Sequence, residues 1–328
     1  MNRIATNAIS HGSLEQAAQW YVQLNDEQVG EQDRQQHWQA WLAQSGEHQA
    51  AWQYVERVGQ RFAALQDDHQ QAAGQVLRNA GRLPISRRQT VKSLLILASG
   101  GVLGWSAWRE TALPLTLARW SADLSTGTGE TQETRLSDGS QIWLNALSAL
   151  NVRFDATQRL LLLQAGEVLI DTAKDHVRPL LVQTTEGRMR ALGTRFSVRQ
   201  DDGKTLLNVY EGAVEVRTAH GLMQVVEAGR QLSFSEHHLP APTAATPGRE
   251  AWRRGILLAD NLPLGQLLEE LSRYRPGHLG CDPAVAELPV MGSFPLKDTD
   301  QALRLLEAAL PIRVEKPLDW WVNVAAKA

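Results

Sequence analysis

Hydrophobic positions along this chain change their spacing several times. In residues 1–80 they recur at helical intervals. Leu14, Ala17, Ala18, Tyr21 and Leu24 form one stripe, with Ser13 placed as an N-cap. Trp38, Trp41 and Leu42 form a second, and Trp52, Val55, Val58, Phe62 and Leu65 form a third after Gly46. Residues 74–80 give a fourth, weak helix. The pattern predicts a small all-α bundle over 1–80, with a marginal core of its own. Such a unit gains from a partner.

Ser93 to Trp108 then run for sixteen residues without a charge. As a helix the run reaches about 24 Å, against a hydrocarbon core of about 30 Å. Thr90 and Val91 can extend it, and Lys92 can snorkel from its start. The segment predicts a single transmembrane helix over 93–109, preceded by a basic linker over 81–92. Arg78, Arg82, Arg87, Arg88 and Lys92 lie before it, and Arg109 is followed at once by Glu110. The positive-inside rule then places the N-terminus in the cytoplasm and the C-terminal region outside it. Arg87, Arg88 and Lys92 serve as membrane-targeting residues, read either as an ordinary basic flank or as a twin-arginine signal. A retained anchor is expected, because the run starts far from residue 1 and Trp105-Ser106-Ala107 is a poor cleavage match.

Over 115–235 the spacing becomes that of short strands. Asp138-Gly139 between Thr134-Arg135-Leu136 and Gln141–Asn145 is a hairpin signal. Runs at 150–154, 159–163, 167–172, 180–184, 195–199, 206–210, 213–217, 224–227 and 231–234 follow, punctuated by glycines at 166, 193, 212, 221 and 229. An all-β domain is predicted. Residues 236–249 are rich in Pro and Ala and read as a linker. Residues 250–328 mix strands with amphipathic helices over 264–274 and 300–310, a small α+β domain.

Composition narrows the chemistry. The net charge is −3, and the first 77 residues carry four Arg against nine acidic groups. That balance gives no case for direct nucleic-acid binding. Cys281 is the single cysteine, so there is no disulfide framework or thiolate metal site. His237-His238 sits in the linker and reads as no metal site, and no phosphate-binding loop is present, so no metal or cofactor is expected. Asp138, Ser140 and His176 lack a nucleophile elbow, so no enzyme is expected. Trp38, Trp41, Leu42 and Trp52 have two readings: the core of the bundle, or anchors for a partner.

The motifs resemble those of the FecR family of inner-membrane sigma-factor regulators, over nearly the whole chain. Trp41-Leu42 with Glu47-His48-Gln49-Ala50-Ala51-Trp52 resembles the family's sigma-binding region. Leu136-Ser137-Asp138-Gly139-Ser140, Leu144-Asn145, Gly166-Glu167, Arg178-Pro179, the run Ala191–Val198, Glu211-Gly212 and Ala228-Gly229 resemble its core. Val168 and Leu180 depart mildly from the family pattern. The C-terminal part resembles the short N-terminal domain of secretins and TonB-dependent transducers.

The resemblance implies a transmembrane anti-sigma factor of the Gram-negative inner membrane. Its partners would be an extracytoplasmic-function sigma factor and the signalling domain of a TonB-dependent outer-membrane receptor, usually for a ferric siderophore. Periplasmic and intramembrane proteases would release the sigma factor. In part of the family the chain breaks itself at a Gly-Thr bond, here Gly193-Thr194. Threonine supplies the hydroxyl nucleophile and glycine the backbone freedom. A plain turn glycine before a strand threonine is the other reading. The alternative to the regulator is a membrane-tethered periplasmic binding module for envelope glycan or protein. That module needs no tryptophan-rich domain ahead of its anchor.

Overall fold

A computed structural model describes residues 9–25, 31–72, 122–201 and 203–327. They fall into two compact units, one combining Met1–Val76 with Arg254–Ala328 and the other spanning Leu77–Arg253.

In the first unit, α1 (His11–Asn25), α2 (Glu31–Gln44) and α3 (Gly46–Ala72) form the helical part. The N-cap of α1 is Ser10 rather than the expected Ser13. Ser10 Oγ accepts from the Ser13 N–H at 3.3 Å, while the Ser13 hydroxyl donates to Glu47 Oε1 at 2.9 Å. Glu47 also accepts from the Ser10 N–H, which ties the start of α1 to the start of α3. Hydrogen bonds from Ser10 and then Ser13 hold the Glu47 carboxyl below its ordinary range. Ala17, Ala18, Ala51 and Val55 are fully buried. Small residues there let α1 and α3 approach closely.

The C-terminal part of this unit holds the last five strands of the chain. β14 (Ile256–Pro263) pairs antiparallel with β16 (Pro289–Pro295). β18 (Trp321–Ala326) lies between β15 (His278–Cys281), to which it is parallel, and β17 (Ile312–Leu318). Helix α4 (Leu264–Ser272) buries Leu264, Leu267, Leu268 and Leu271. Helix α5 (Thr299–Ala309) buries Ala302, Leu303 and Leu306 and is capped by Asp298, which accepts from the Gln301 N–H at 2.8 Å. Trp320 and Trp321 join the helical core with Ala17, Trp41, Ala51 and Val55.

That shared core corrects the expected layout. A single crossing between α3 and the strands would put the two halves of one hydrophobic core on opposite faces of a membrane. Among the described residues no helix is long and apolar enough to cross one. Residues 93–109, with Arg87, Arg88 and Lys92 before them, lie outside the described residues. Length and flanking charge say nothing of the packing of Trp320 and Trp321 against the helices, which is set by residues far from the apolar run.

The second unit is a curled 13-stranded sheet. Its strands are β1 (Leu124–Ser125), β2 (Gln132–Arg135), β3 (Gln141–Leu144), β4 (Ala149–Phe154), β5 (Arg159–Asp171), β6 (Leu180–Gln183), β7 (Gly187–Ala191), β8 (Arg195–Asp201), β9 (Lys204–Glu211), β10 (Ala213–Thr218), β11 (Met223–Glu227), β12 (Arg230–Phe234) and β13 (Thr243–Ala244). The main path runs β11-β10-β7-β6-β5-β8-β9-β12-β13. Two runs expected as separate strands around Gly166 are one 13-residue strand, β5. Its first half pairs with β4 and, in parallel, with β6; its second half pairs with β3 and β8. At Gly166, with φ of +81°, the strand passes from one set of neighbours to the other. A Cβ at Gly166 would lie 2.6 Å from Ser148 Cα. The core inside the curl is aliphatic, with Phe196 and Phe234 as its aromatic members.

Candidate functional site

Two groups of expected site residues are brought together. The first is aromatic. Trp38 meets Trp52 edge-on at 5.0 Å, and Tyr21 meets Trp52 at 6.1 Å. Trp41 lies 6.5 Å from Trp20 and stacks on His48 at 4.5 Å and 8°. Its indole N–H donates to Gln16 Oε1 at 2.9 Å. His48 Nδ1 sits 2.9 Å from the Trp41 carbonyl oxygen. Trp41 is buried, while Trp38, Leu42 and Trp52 are half-buried. Trp41 thus belongs to the core, and Trp38, Leu42 and Trp52 pack against it partly buried. The sequence stripes omitted Trp20. They also omitted Trp320 and Trp321, which continue the aromatic cluster through a 5.3 Å edge contact between Tyr21 and Trp320. Tyr54 extends it further, to His278 and Trp321.

The second group surrounds the Gly193-Thr194 bond, in the turn from β7 to β8. Gly193 has φ of +80° and is exposed. Thr194 is buried, and its hydroxyl has no hydrogen-bond partner among the described residues. Thr172 clamps the Thr194 backbone from the end of β5. Its hydroxyl accepts from the Thr194 N–H at 2.8 Å and donates to the Thr194 carbonyl at 2.9 Å. Gly212 packs close to this turn: a Cβ added there would lie 2.7 Å from Gly193 O and 2.8 Å from Thr194 Cγ2, so the position has no room for a side chain. The observed features of the turn are thus a buried threonine hydroxyl without a partner among the described residues and a left-handed glycine before it.

Beside this turn lies a cleft of about 270 Å³, lined among others by Arg159, Asp175, His176, Arg190, Leu192 and Gly193. Asp175 is no proton acceptor at neutral pH. The N–H groups of Arg178 and Val177 bring its carboxyl down to about 2. The floor of the cleft is held by Arg159. It donates to Asp138 Oδ2 at 2.6 Å, to the Ala173 carbonyl at 3.1 Å and to the Arg178 carbonyl at 3.0 Å. Asp138 in turn accepts from the Ser140 N–H at 3.0 Å and hydroxyl at 2.7 Å. Burial pushes the Asp138 carboxyl up, and the bonds from Ser140 and Arg159 outweigh it, leaving it below its ordinary range. Ser140 Oγ also accepts from the Ala173 N–H at 2.9 Å. Asp138 and Ser140 are thus structural, fixing the hairpin loop against the strand end.

A further buried polar knot sits at the Gly166 switch. Asn145 donates to Glu167 Oε2 at 2.9 Å, and Ser148 Oγ donates to the Asn145 carbonyl at 2.7 Å while accepting from the Glu167 N–H at 2.9 Å. Thr126 closes it with a 2.6 Å bond to the Asn145 carbonyl.

Residues 122–215, which hold both the knot and the Gly193-Thr194 turn, match the family model of the FecR protein. Residues 15–58, which hold the aromatic cluster's helices, match a domain of unknown function, DUF4880. The chain carries a FecR domain, as its motifs had suggested. Two crystal structures of a candidate anti-sigma factor from Parabacteroides distasonis share the fold, each with a TM-score of 0.54 and 22% identity. Each likeness covers 62% of this chain and 98–99% of the other. No curated protein matches the chain.

Proposed function

We propose that the protein is an anti-sigma regulator whose N-terminal helices hold a sigma factor of the extracytoplasmic-function type. The observation that carries this reading is the order of parts: an acidic, tryptophan-rich helical segment ahead of a FecR domain. The fold shared with a candidate anti-sigma factor supports it. So does the chemistry of the helices, since an acidic surface suits a partner that itself binds DNA. Half-buried Trp38, Leu42 and Trp52 form the contact face, and Trp41 holds the bundle that presents it.

Copurification of the full chain with coexpressed sigma factors tests the first step. The wild type captures one of them. Leu42→Glu weakens capture at least about tenfold, a loss of about 1.4 kcal/mol at a buried anchor. Trp41→Ala instead lowers stability, by about 3–5 kcal/mol for a large core deletion. A folded wild type that captures no sigma factor removes the regulator reading and leaves a binding module.

We also propose that the chain opens its own Gly193-Thr194 bond. Thr194 Oγ attacks the Gly193 carbonyl carbon and the C–N bond breaks, giving an ester and a free Thr194 amine. Water then hydrolyses the ester, returning the hydroxyl to Thr194 and leaving a carboxylate on Gly193. Intact-mass measurement of purified protein is expected to show two fragments for the wild type and one chain for Thr194→Ala. One intact chain for both proteins, or cleavage of both, rejects the chemistry.

A further inference from the structure

The curled sheet ends in two margins that face each other without pairing. One margin is β11, joined through β10 to β7; the other is β12, joined to β9 and covered by the two-residue β13 only at Arg230 and Gln231. The chain crosses between them at Ala228-Gly229. There the Ala228 N–H donates to the Gly212 carbonyl and the Gly229 N–H to the Val209 carbonyl, each at 2.9 Å. At the other end of this seam stand His220, in the turn before β11, and Glu236 and His237, just after β12. One ligand atom from each of the three lies within 4.8 Å of the others. The rings of His220 and His237 stack at 4.0 Å and 27°. Both turns are tied down by backbone bonds. The Ala219 N–H donates to the Glu186 carbonyl at 2.9 Å, the Gly221 N–H to the Thr218 carbonyl at 2.9 Å, and the Ser235 N–H to the His238 carbonyl at 3.0 Å.

We propose that His220, Glu236 and His237 bind a divalent transition ion of the zinc type, which clips the two margins of the sheet together. Two imidazoles and one carboxylate suit zinc, nickel or copper, and they supply too few oxygens for calcium or magnesium. Around a tetrahedral zinc, with bonds of about 2.0–2.2 Å, ligand atoms stand about 3.4 Å apart. Closing from 4.8 Å asks for side-chain rotation at two exposed histidines and leaves both turns in place. The ion keeps an open position for water. The sequence hides the site because a whole two-strand excursion, β11 and β12, separates His220 from its partners.

Zinc titration of the full chain against a chromophoric chelator, with thermal unfolding as a second readout, tests the assignment. The wild type takes up one zinc per chain at this site, and its melting temperature rises with zinc. His220→Ala and His237→Ala each weaken binding at least about tenfold, the lower bound set by losing even a supporting group around a metal, and abolish the thermal shift. Glu236→Gln weakens binding as well. His176→Ala, outside the cluster, leaves both readouts unchanged. Equal zinc affinity in the wild type, His220→Ala and His237→Ala overturns the assignment, as does a wild type that takes up no zinc.

Discussion

Gly166→Ala is expected to lower the stability of the FecR sheet by about 2–5 kcal/mol. A left-handed backbone costs an alanine about 1–2 kcal/mol, and forced overpacking adds about 1–3 kcal/mol. Both penalties apply here. Gly166 has φ of +81°, and the new Cβ would lie 2.3 Å from Ser148 Oγ, 2.6 Å from Ser148 Cα and 2.7 Å from the Leu147 carbonyl oxygen. Two of those three atoms are backbone and cannot swing away. Leu147 is already at φ of +59°, so the opposing turn has little room to yield. Denaturant unfolding checks the value against Gly229→Ala. Gly229 has φ of +76° but nothing within 4 Å of its Cβ position, so only the conformational penalty applies. Equal costs at the two positions would mean that β5 does not need close contact with the 145–148 turn.

The second large effect is at Arg159. Replacing it with methionine is expected to cost about 3–5 kcal/mol, the usual result of stranding one member of a buried ion pair. The side chains of Arg159 and Asp138 are only 4% and 1% exposed, so water cannot take over the lost charge. The carbonyls of Ala173 and Arg178 lose a donor at the same time. Pairing Arg159→Met with Asp138→Asn should recover part of the loss, because the uncompensated charge goes too. A double-mutant cycle reads that coupling directly. A single-mutant cost below about 1 kcal/mol, the level of an exposed pair, would mean that solvent reaches Asp138.

Local chemistry is what the sequence made legible. The Asp138-Gly139 hairpin was readable because its signal lies within five residues, and β2 and β3 do pair, from Gln132 opposite Leu144 to Arg135 opposite Gln141. The helices over 264–272 and 299–309 were readable from their apolar spacing. β7 was not, because Arg188 and Arg190 alternate with Gly187, Met189 and Ala191 and make the run look polar. Its burial is decided by β6 and β10 on either side. β15 was missed for a related reason, since Gly280 interrupts a short strand whose partner β18 lies some forty residues further on. Gly166 looked like punctuation and is instead the point where a continuous strand changes neighbours. The tryptophan set was legible as a set, but its division into a buried Trp41 and half-buried Trp38 and Trp52 depends on Trp20, Tyr21 and Gln16 from another helix. At Gly193-Thr194 the residue types were visible; the clamp by Thr172 and the close approach of Gly212 were not.

The position of the Gly193-Thr194 turn between β7 and β8 has a mechanical consequence. β8 lies beside β5 over six residue pairs, and β10 lies beside β7 over five. A chain opened at this bond would have no covalent path from its first part to its second, yet the two parts would stay interleaved through both ladders. Tension pulling them apart along the strand direction would load those ladders in shear, several hydrogen bonds at once. Tension across the strands would peel them one bond at a time. Such a molecule would hold against one direction of pull and part under another, so the direction of an applied force could decide whether the two parts separate.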